Sequence, residues 1–458
     1  MPPPRPERFP SNPRKWRSDD HKPRPPQNRG GRFSMREGEG AMAQPDFCSA
    51  GKTGATLSVD AARLRAVAAV APMREAEDLP LDLALGRVLA SPPTARVDLP
   101  PFDNAAMDGY AVSTRDLAGD GPWRLPVSGR VAAGDTRSAI LQPGTAVRIF
   151  TGAPIPSGAD AVIMQERARR DSDTLIVSDA PRAALNIRRR GEDRRAGEPP
   201  LPCGHLLTAP RLALLAGTGI PRVSTFRKLR VGLFSTGSEL QEPGSPLQHG
   251  QIYNSNRVML RALLAQPWIE LTDYGILRDD AGAIRATIRR AAEENDVVIS
   301  SGGVSAGEED HILDALRRED ATLDVLKVAI RPGKPLTVGR VAGALYVGLP
   351  GNPYAAAVTF SQIAQPALRK AAGLTEIQDT WIPAVSGFDY DRATGRREYV
   401  PVTWDRRDGM GRPVLQRLGR GASASLSPIA NARGIAVIEP DMPHVSEGQP
   451  LRVEPLLE

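Results

Sequence analysis

The stretch from Asp296 to Asp310 starts as a short apolar strand, turns through Ser301, Gly302, Gly303 and Ser305, and ends on Glu308, Glu309 and Asp310. Adjacent glycines let the backbone take left-handed dihedrals and approach a ligand, and the N–H groups of a following helix turn cradle an anion. That geometry suits a phosphate. The three acids would repel a bare phosphate, so a bridging hard cation such as Mg2+ is the economical way to hold both signs together. An ordinary strand-to-helix turn with solvated acids has the same composition, so the segment alone does not decide.

Other strand ends carry groups of matching purpose. Ser235 to Leu240 offers Glu239, hydroxyls and the bend at Gly237. In Arg278-Asp279-Asp280, Asp279 reads either as a ligand carboxylate or as a helix N-cap. Around Ala329 to Pro335, the cations Lys327, Arg331 and Lys334 suit phosphate oxygens or an oxyanion. Gly348 to Pro353 holds Pro350 and Pro353 in a rigid turn before a helix, though a plain strand-to-helix connection looks the same. Farther upstream, Asp108-Gly109 is a tight turn with one carboxylate, and Thr151-Gly152 a turn with one hydroxyl. Arg188 to Asp193 puts cations beside acids, either as a solvated loop or as an anion site. His205, His249 and His311 show no metal spacing and receive no role.

The elements that must position these groups follow from pattern. Residues 1–54 are rich in Pro, Arg and Gly without apolar periodicity, as expected of a disordered tail. Ser58 caps a first helix from Val59 to Ala71. Short alternating strands from Trp123 to Val177 predict a small β-rich domain. From about Leu229, strands at 230–234, 269–275, 296–299, 324–330 and 344–347 alternate with helices at 256–265, 279–294 and 354–372. That alternation implies a parallel sheet, whose ligands bind beyond the carboxyl ends of its strands. After Thr375 short strands with Gly and Pro turns return, predicting a small barrel or sandwich.

With 458 residues the chain exceeds one core, and a hydrophobic content of 41% supports several. No apolar run is long enough for a membrane span, and the first residues lack a signal-peptide pattern, so a cytoplasmic protein is expected. Cys48 and Cys203 are the only cysteines, which excludes a disulfide framework and a thiolate metal site. The net charge of +6 sits largely in the tail and in Arg188-Arg189-Arg190; with 5% aromatic residues and no stacking motif, nucleic acid is excluded in favour of anionic small molecules.

In order, these motifs resemble the MoeA family of molybdopterin molybdenumtransferases, which includes the gephyrin E domain. The resemblance runs from about Leu57 to Glu458 and leaves only the tail outside it. It implies a multidomain α/β and β fold: an α/β parallel-sheet domain of the molybdopterin-binding, MogA-like kind, an elongated helical domain, an inserted β-rich domain and a C-terminal β-barrel-like domain. The expected divisions are 55–96 with 194–228 for the elongated domain, 97–193 for the insertion, 229–373 for the α/β domain and 374–458 for the barrel. It further implies a homodimer with Asp108 and Thr151 lent across the interface. Asp193 then sits at the insertion boundary, and Glu239, Asp279 and Asp310 at nucleotide, pterin and metal positions, with Glu239 and Asp310 as the Mg2+ ligands. Ser301, Gly302, Gly303, Ser305, Lys327, Arg331 and Lys334 receive phosphate and molybdate, while Pro350 and Pro353 shape the wall. Ser238 stands where the family often has Asp, leaving one carboxylate fewer, and Arg331 where Lys is common.

The implied reaction is a transferase step in molybdenum cofactor biosynthesis: molybdate enters an adenylylated molybdopterin and AMP leaves. Other proteins of that pathway are the expected partners. A molybdopterin adenylyltransferase shares the α/β domain but needs no β-rich insertion. A catalytically inactive gephyrin-like scaffold would not need to retain Asp108, Glu239, Asp279 and Asp310.

Overall fold

The computed structural model describes residues 56–456 except 137–138, 303–310, 320, 334–335 and 378–379, and the side chains of 311 and 323–325 also fall outside the description. The tail, Gly303, Ser305, Asp310 and Lys334 therefore lie outside the described residues. What is described is a multidomain α/β and β architecture.

Strands Val297–Ser301 and Ala344–Leu349 are buried at every position, as strands covered on both faces must be. They lie inside a six-stranded sheet in the order Ile269–Leu277, Leu229–Thr236, Val297–Ser301, Ala344–Leu349, Leu336–Val341, Thr322–Leu326. The first four run parallel. Alternate residues serve opposite faces. Val231, Leu233, Val297, Ile299 and Val347 pack toward helices Ser255–Leu264 and Pro353–Thr359, and Phe234, Val298 and Tyr346 toward helix Ala281–Glu294. One strand departs from the all-parallel expectation. Leu336–Val341 is antiparallel to both neighbours, because Ala342 and Gly343, at φ 46° and 90°, close a turn too tight for a crossover.

The helix expected at 354–372 begins at Pro353 and carries a π-helical stretch, Phe360–Ala364, between Pro353–Thr359 and Gln365–Ala371. Pro366 has no N–H for the Gln362 carbonyl one turn back. Arg63 supplies the donor, its Nε 2.8 Å from that oxygen. The Gln362 side chain accepts from Arg63 at 2.7 Å and from Tyr399 at 3.0 Å. The first helix, Val59–Ala68, capped by Ser58, thus packs on this helix, and its Ala62 and Ala66 are fully buried there.

Upstream, strands Ala76–Pro80 and Arg222–Phe226 pair antiparallel beside helix Ala209–Gly217, around a core of Ala84, Leu89, Leu207 and Leu215. Between them, residues 104–188 form a second six-stranded sheet, which contains Gly109–Val112, Trp123–Val131 and Ala146–Ile149. At its neck Asn104–Ala105 pairs with Ile187–Arg188. Arg189 binds Asp103 at 2.6 Å and Arg190 binds Asp98. Where the sequence leaves Arg188 to Asp193 as a solvated loop or an anion site, Arg189 and Arg190 instead pair with acids of the chain and clasp the neck. At the C-terminal end, Arg397–Thr403, Val414–Arg417, Ile382–Ser386, Pro450–Pro455 and Gly434–Ile438 follow one another, and the last pairs back to the first. Closure of this barrel leaves no free edge.

Candidate functional site

Parallel register aligns the strand ends that carry the motifs. Ser235 lies opposite Ser301, Ser301 opposite Leu349, and Thr236 opposite Leu277. The loops at 237–239, 278–280, 302 onward and 350–353 therefore leave one edge of the sheet together, where parallel sheets bind ligands.

Glycine is required at Gly302. Its φ is 90°, and a Cβ there would lie 2.7 Å from the carbonyl oxygen of Thr236, so the two strand ends touch through their backbones. Asn256, 7% exposed in the first turn of Ser255–Leu264, fixes the other side: its Nδ2 donates to Ser301 Oγ at 2.8 Å and to the Gly351 carbonyl at 2.7 Å. Sequence reasoning missed Asn256, whose one signal was a second asparagine two residues after the helix cap Asn254. Ser300 Oγ lies 2.5 Å from Tyr346 Oη beneath this floor.

The ambiguity over Asp279 is resolved by its neighbour. Asp280 is the N-cap, accepting from Ala283 N at 2.6 Å. Asp279 instead accepts the Ser238 N–H at 2.9 Å, and Ser238 Oγ accepts the Asp279 N–H at 3.3 Å. Ser238 thus ties the 237–239 and 278–280 loops together. Glu239 folds its carboxylate back over Gly237, where a Cβ would meet an oxygen at 2.4 Å. Both carboxylates are exposed to solvent.

Lys327 is exposed just beyond strand Thr322–Leu326, at the same sheet edge. Arg331 departs from the expectation of a free cation. It pairs across a short parallel bridge with Glu398 of the barrel, and its Nε lies 3.4 Å from a Glu398 carboxylate oxygen. Glu398, almost fully buried, also accepts from Arg392 and from Tyr390 Oη, each at 2.9 Å. Pro350 is buried, and Pro353 opens the long helix in its first turn. Asn352 between them donates to Ser423 Oγ at 3.0 Å, and Tyr354 N donates to the Ser423 carbonyl at 3.1 Å, so barrel residues clamp this loop. Glu398 and Ser423 carry no motif that the sequence pattern could have singled out.

Asp108 and Thr151 meet as a pair. One Asp108 oxygen accepts both the N–H and the hydroxyl of Thr151, each at 2.8 Å. These two donors, N–H first, and then the positive field of Arg148 hold the Asp108 carboxyl below the usual carboxylate range. Among the described residues, no hydrogen bond or ion pair joins this pair to the loops of the α/β sheet. Asp193 is at the neck, its N–H on the Leu99 carbonyl and its carboxylate 3.7 Å from Arg194.

The donor set suits a hard cation. Glu239 and the uncommitted oxygen of Asp279 hang from adjacent loops, and Ser235 Oγ is buried at the same edge without a partner among the described residues. The described residues alone contain no group of three or more acidic, histidine or cysteine ligands. None of their helices is long and apolar enough to cross a membrane.

Comparison with known proteins is consistent along the chain. Residues 57–219 match "MoeA N-terminal region (domain I and II)", residues 232–370 match "Probable molybdopterin binding domain", and residues 383–456 match "MoeA C-terminal region (domain IV)". A molybdopterin molybdenumtransferase of Haemophilus influenzae is 37% identical over 405 residues, which covers 87% of this chain and 98% of that protein. One from Nostoc sp. is 37% identical over 387 residues, covering 83% and 88%. Among solved structures, the molybdopterin biosynthesis MoeA protein of Pyrococcus horikoshii superposes with a TM-score of 0.74 at 28% identity, over 88% of this chain and 100% of that one.

Proposed function

The chain belongs to the MoeA family of molybdopterin molybdenumtransferases, and from that premise we propose that it inserts molybdate into adenylylated molybdopterin in a Mg2+-dependent step that releases AMP. It is a transferase of molybdenum cofactor biosynthesis. The observation that carries the finer reading is the common sheet edge, where Asp279, Glu239 and Gly302 follow three neighbouring strands and Lys327 follows the outermost strand farther along the same edge.

Substrate and molybdate are both anions, so the protein must offset their repulsion before they can react. Lys327, Lys334 and Arg331 supply positive charge. Binding of an oxyanion by Arg331 competes with Glu398 for its guanidinium. Glu239 and Asp310 would hold Mg2+, and the metal would supply charge neutralisation at phosphate oxygens. Asp279 is pinned by Ser238 and can orient a polar group of the substrate through its second oxygen. The dithiolene sulfurs belong to the pterin, in keeping with a chain whose only cysteines are Cys48 and Cys203.

Asp108 and Thr151 lie in the inserted sheet, and the homodimer reading lets the pair of one subunit complete the site of its partner. The domain divisions at 97–193, 229–373 and 374–458, and a cytoplasmic location, complete the proposal. The test is a Mg2+ titration of AMP release by wild type and by Glu239→Gln. The substitution should raise the Mg2+ concentration for half-maximal rate by roughly tenfold or more, as loss of one carboxylate ligand does. An unchanged Mg2+ requirement would remove Glu239 from the metal site.

A further inference from the structure

The inserted sheet holds two guanidinium groups in an arrangement that stability alone disfavours. Strands Trp123–Val131 and Ala146–Ile149 run parallel with Arg130 directly opposite Arg148, and Arg148 lies opposite Tyr110 on the next strand. Residues in register share a face, and like charges directly opposite one another are destabilising. Here the two cations share one aromatic ring: the guanidinium carbons of Arg130 and Arg148 lie 4.7 Å and 5.0 Å from the centre of Phe150, and Arg148 is also 5.0 Å from Tyr110. Neither forms an ion pair among the described residues. Arg148 is anchored by the Gly109 carbonyl at 3.4 Å and by Gln165, which Glu166 holds in turn. Arg130 is exposed and has no hydrogen-bond acceptor among the described residues. The acid facing this group is Asp108, whose carboxyl feels Arg148 and is already satisfied by Thr151. Asp108 is taken up by Thr151 and Glu166 by Gln165, so neither carboxylate closes on a guanidinium, and the face can take an anion.

We propose that Arg130 and Arg148, backed by Phe150, bind a phosphoanhydride: the diphosphate of an adenylylated substrate, one phosphoryl group to each guanidinium. Arginine forks match phosphoryl oxygens, and the aromatic backing holds them rigid before the ligand arrives. The inference rests on the reading that Asp108 and Thr151 face the substrate, and it extends that contact from the pair to the adjoining face. It also explains why an opposed pair of cations persists beside them.

The test is calorimetric titration of the full chain with inorganic pyrophosphate, in a Lys334→Gln background so that the α/β loop's own cation does not dominate. Adding Arg130→Gln should weaken pyrophosphate binding about tenfold, as expected for loss of a charge-assisted contact. Arg130→Lys should recover most of it, and inorganic phosphate or molybdate should change by less than about threefold, since each engages one guanidinium only. The Arg130→Gln protein should melt no lower than its parent in anion-free, low-salt buffer, because one of two opposed charges is gone. Equal pyrophosphate affinity with and without Arg130→Gln would overturn the proposal, as would a loss confined to molybdate. Failure of the functional reading would show separately, as absence of molybdate-dependent AMP release by wild type while the pyrophosphate difference persists.

Discussion

Replacing Asn256 with alanine should loosen the floor of the site from a position that touches no expected ligand. Its amide joins the end of strand Val297–Ser301 to the Gly351 turn through hydrogen bonds of 2.8 Å and 2.7 Å. Each such bond contributes roughly 1 kcal/mol net, so the variant should lose about 2 kcal/mol. For a domain of this size that corresponds to a fall in melting temperature of about 4–8 °C. The rate should suffer more than the stability. Gly302 leaves Ser301 directly, and a Cβ added to Gly351 would lie 3.8 Å from Gly302 Cα, so the two loops are close and slack here moves both. A misplacement near 1 Å costs on the order of 100-fold in rate. Asn256→Asp keeps the size but sets an oxygen against the Gly351 carbonyl, and should be worse than alanine on both counts. The assays are a calorimetric melt and the initial rate of AMP release. An alanine variant that melts within about 1 °C of wild type and keeps its rate would refute the reasoning.

Gly302→Ala should lose at least about 1–2 kcal/mol from its left-handed backbone alone, plus the displacement of Thr236, whereas Gly351→Ala, whose Cβ would meet only Gly302 Cα at 3.8 Å, should melt near wild type. At the opposite sheet edge, burial pushes the Asp296 carboxyl up, but Arg227 and then the Arg230 N–H bring it down to about 2, from 3.8. That stabilisation is complete above the ordinary value and fades as pH falls through about 2; Asp296→Asn should therefore cost about 2 kcal/mol in urea unfolding at neutral pH, with the gap to wild type narrowing below pH ~4. Mixed Asp108→Ala and Asp310→Ala subunits should regain one working site per heterodimer, and no recovery despite proven subunit exchange would count against sharing across a dimer. A chain starting at Thr56 should keep its melting temperature and its AMP release, since residues 1–54 carry none of the motifs; loss of either would place the tail in the folded enzyme.

Much of the α/β domain was legible because its central strands are apolar and its helices are capped by residues with one obvious job. Asp280 illustrates the limit. Two adjacent aspartates compete for one cap, and only the position of Ser238 shows which of them is left for the site. The antiparallel strand Leu336–Val341 was not expected at all, because the turn that separates it from Ala344–Leu349 holds Ala342, a residue with no preference for φ > 0. Asn256, Glu398 and Ser423 act through contacts made across the fold, for which neighbouring residues in sequence carry no sign. The opposition of Arg130 and Arg148 needs the strand register, which the sequence pattern left open.

The most direct measurement gives the full chain adenylylated molybdopterin, Mg2+ and molybdate, and follows AMP and pterin-bound molybdenum in the same samples. The account predicts that AMP release requires both molybdate and Mg2+, and that one molybdenum is inserted for each AMP released. AMP release at the same rate without molybdate, or molybdenum insertion with the adenylyl group still in place, would contradict it.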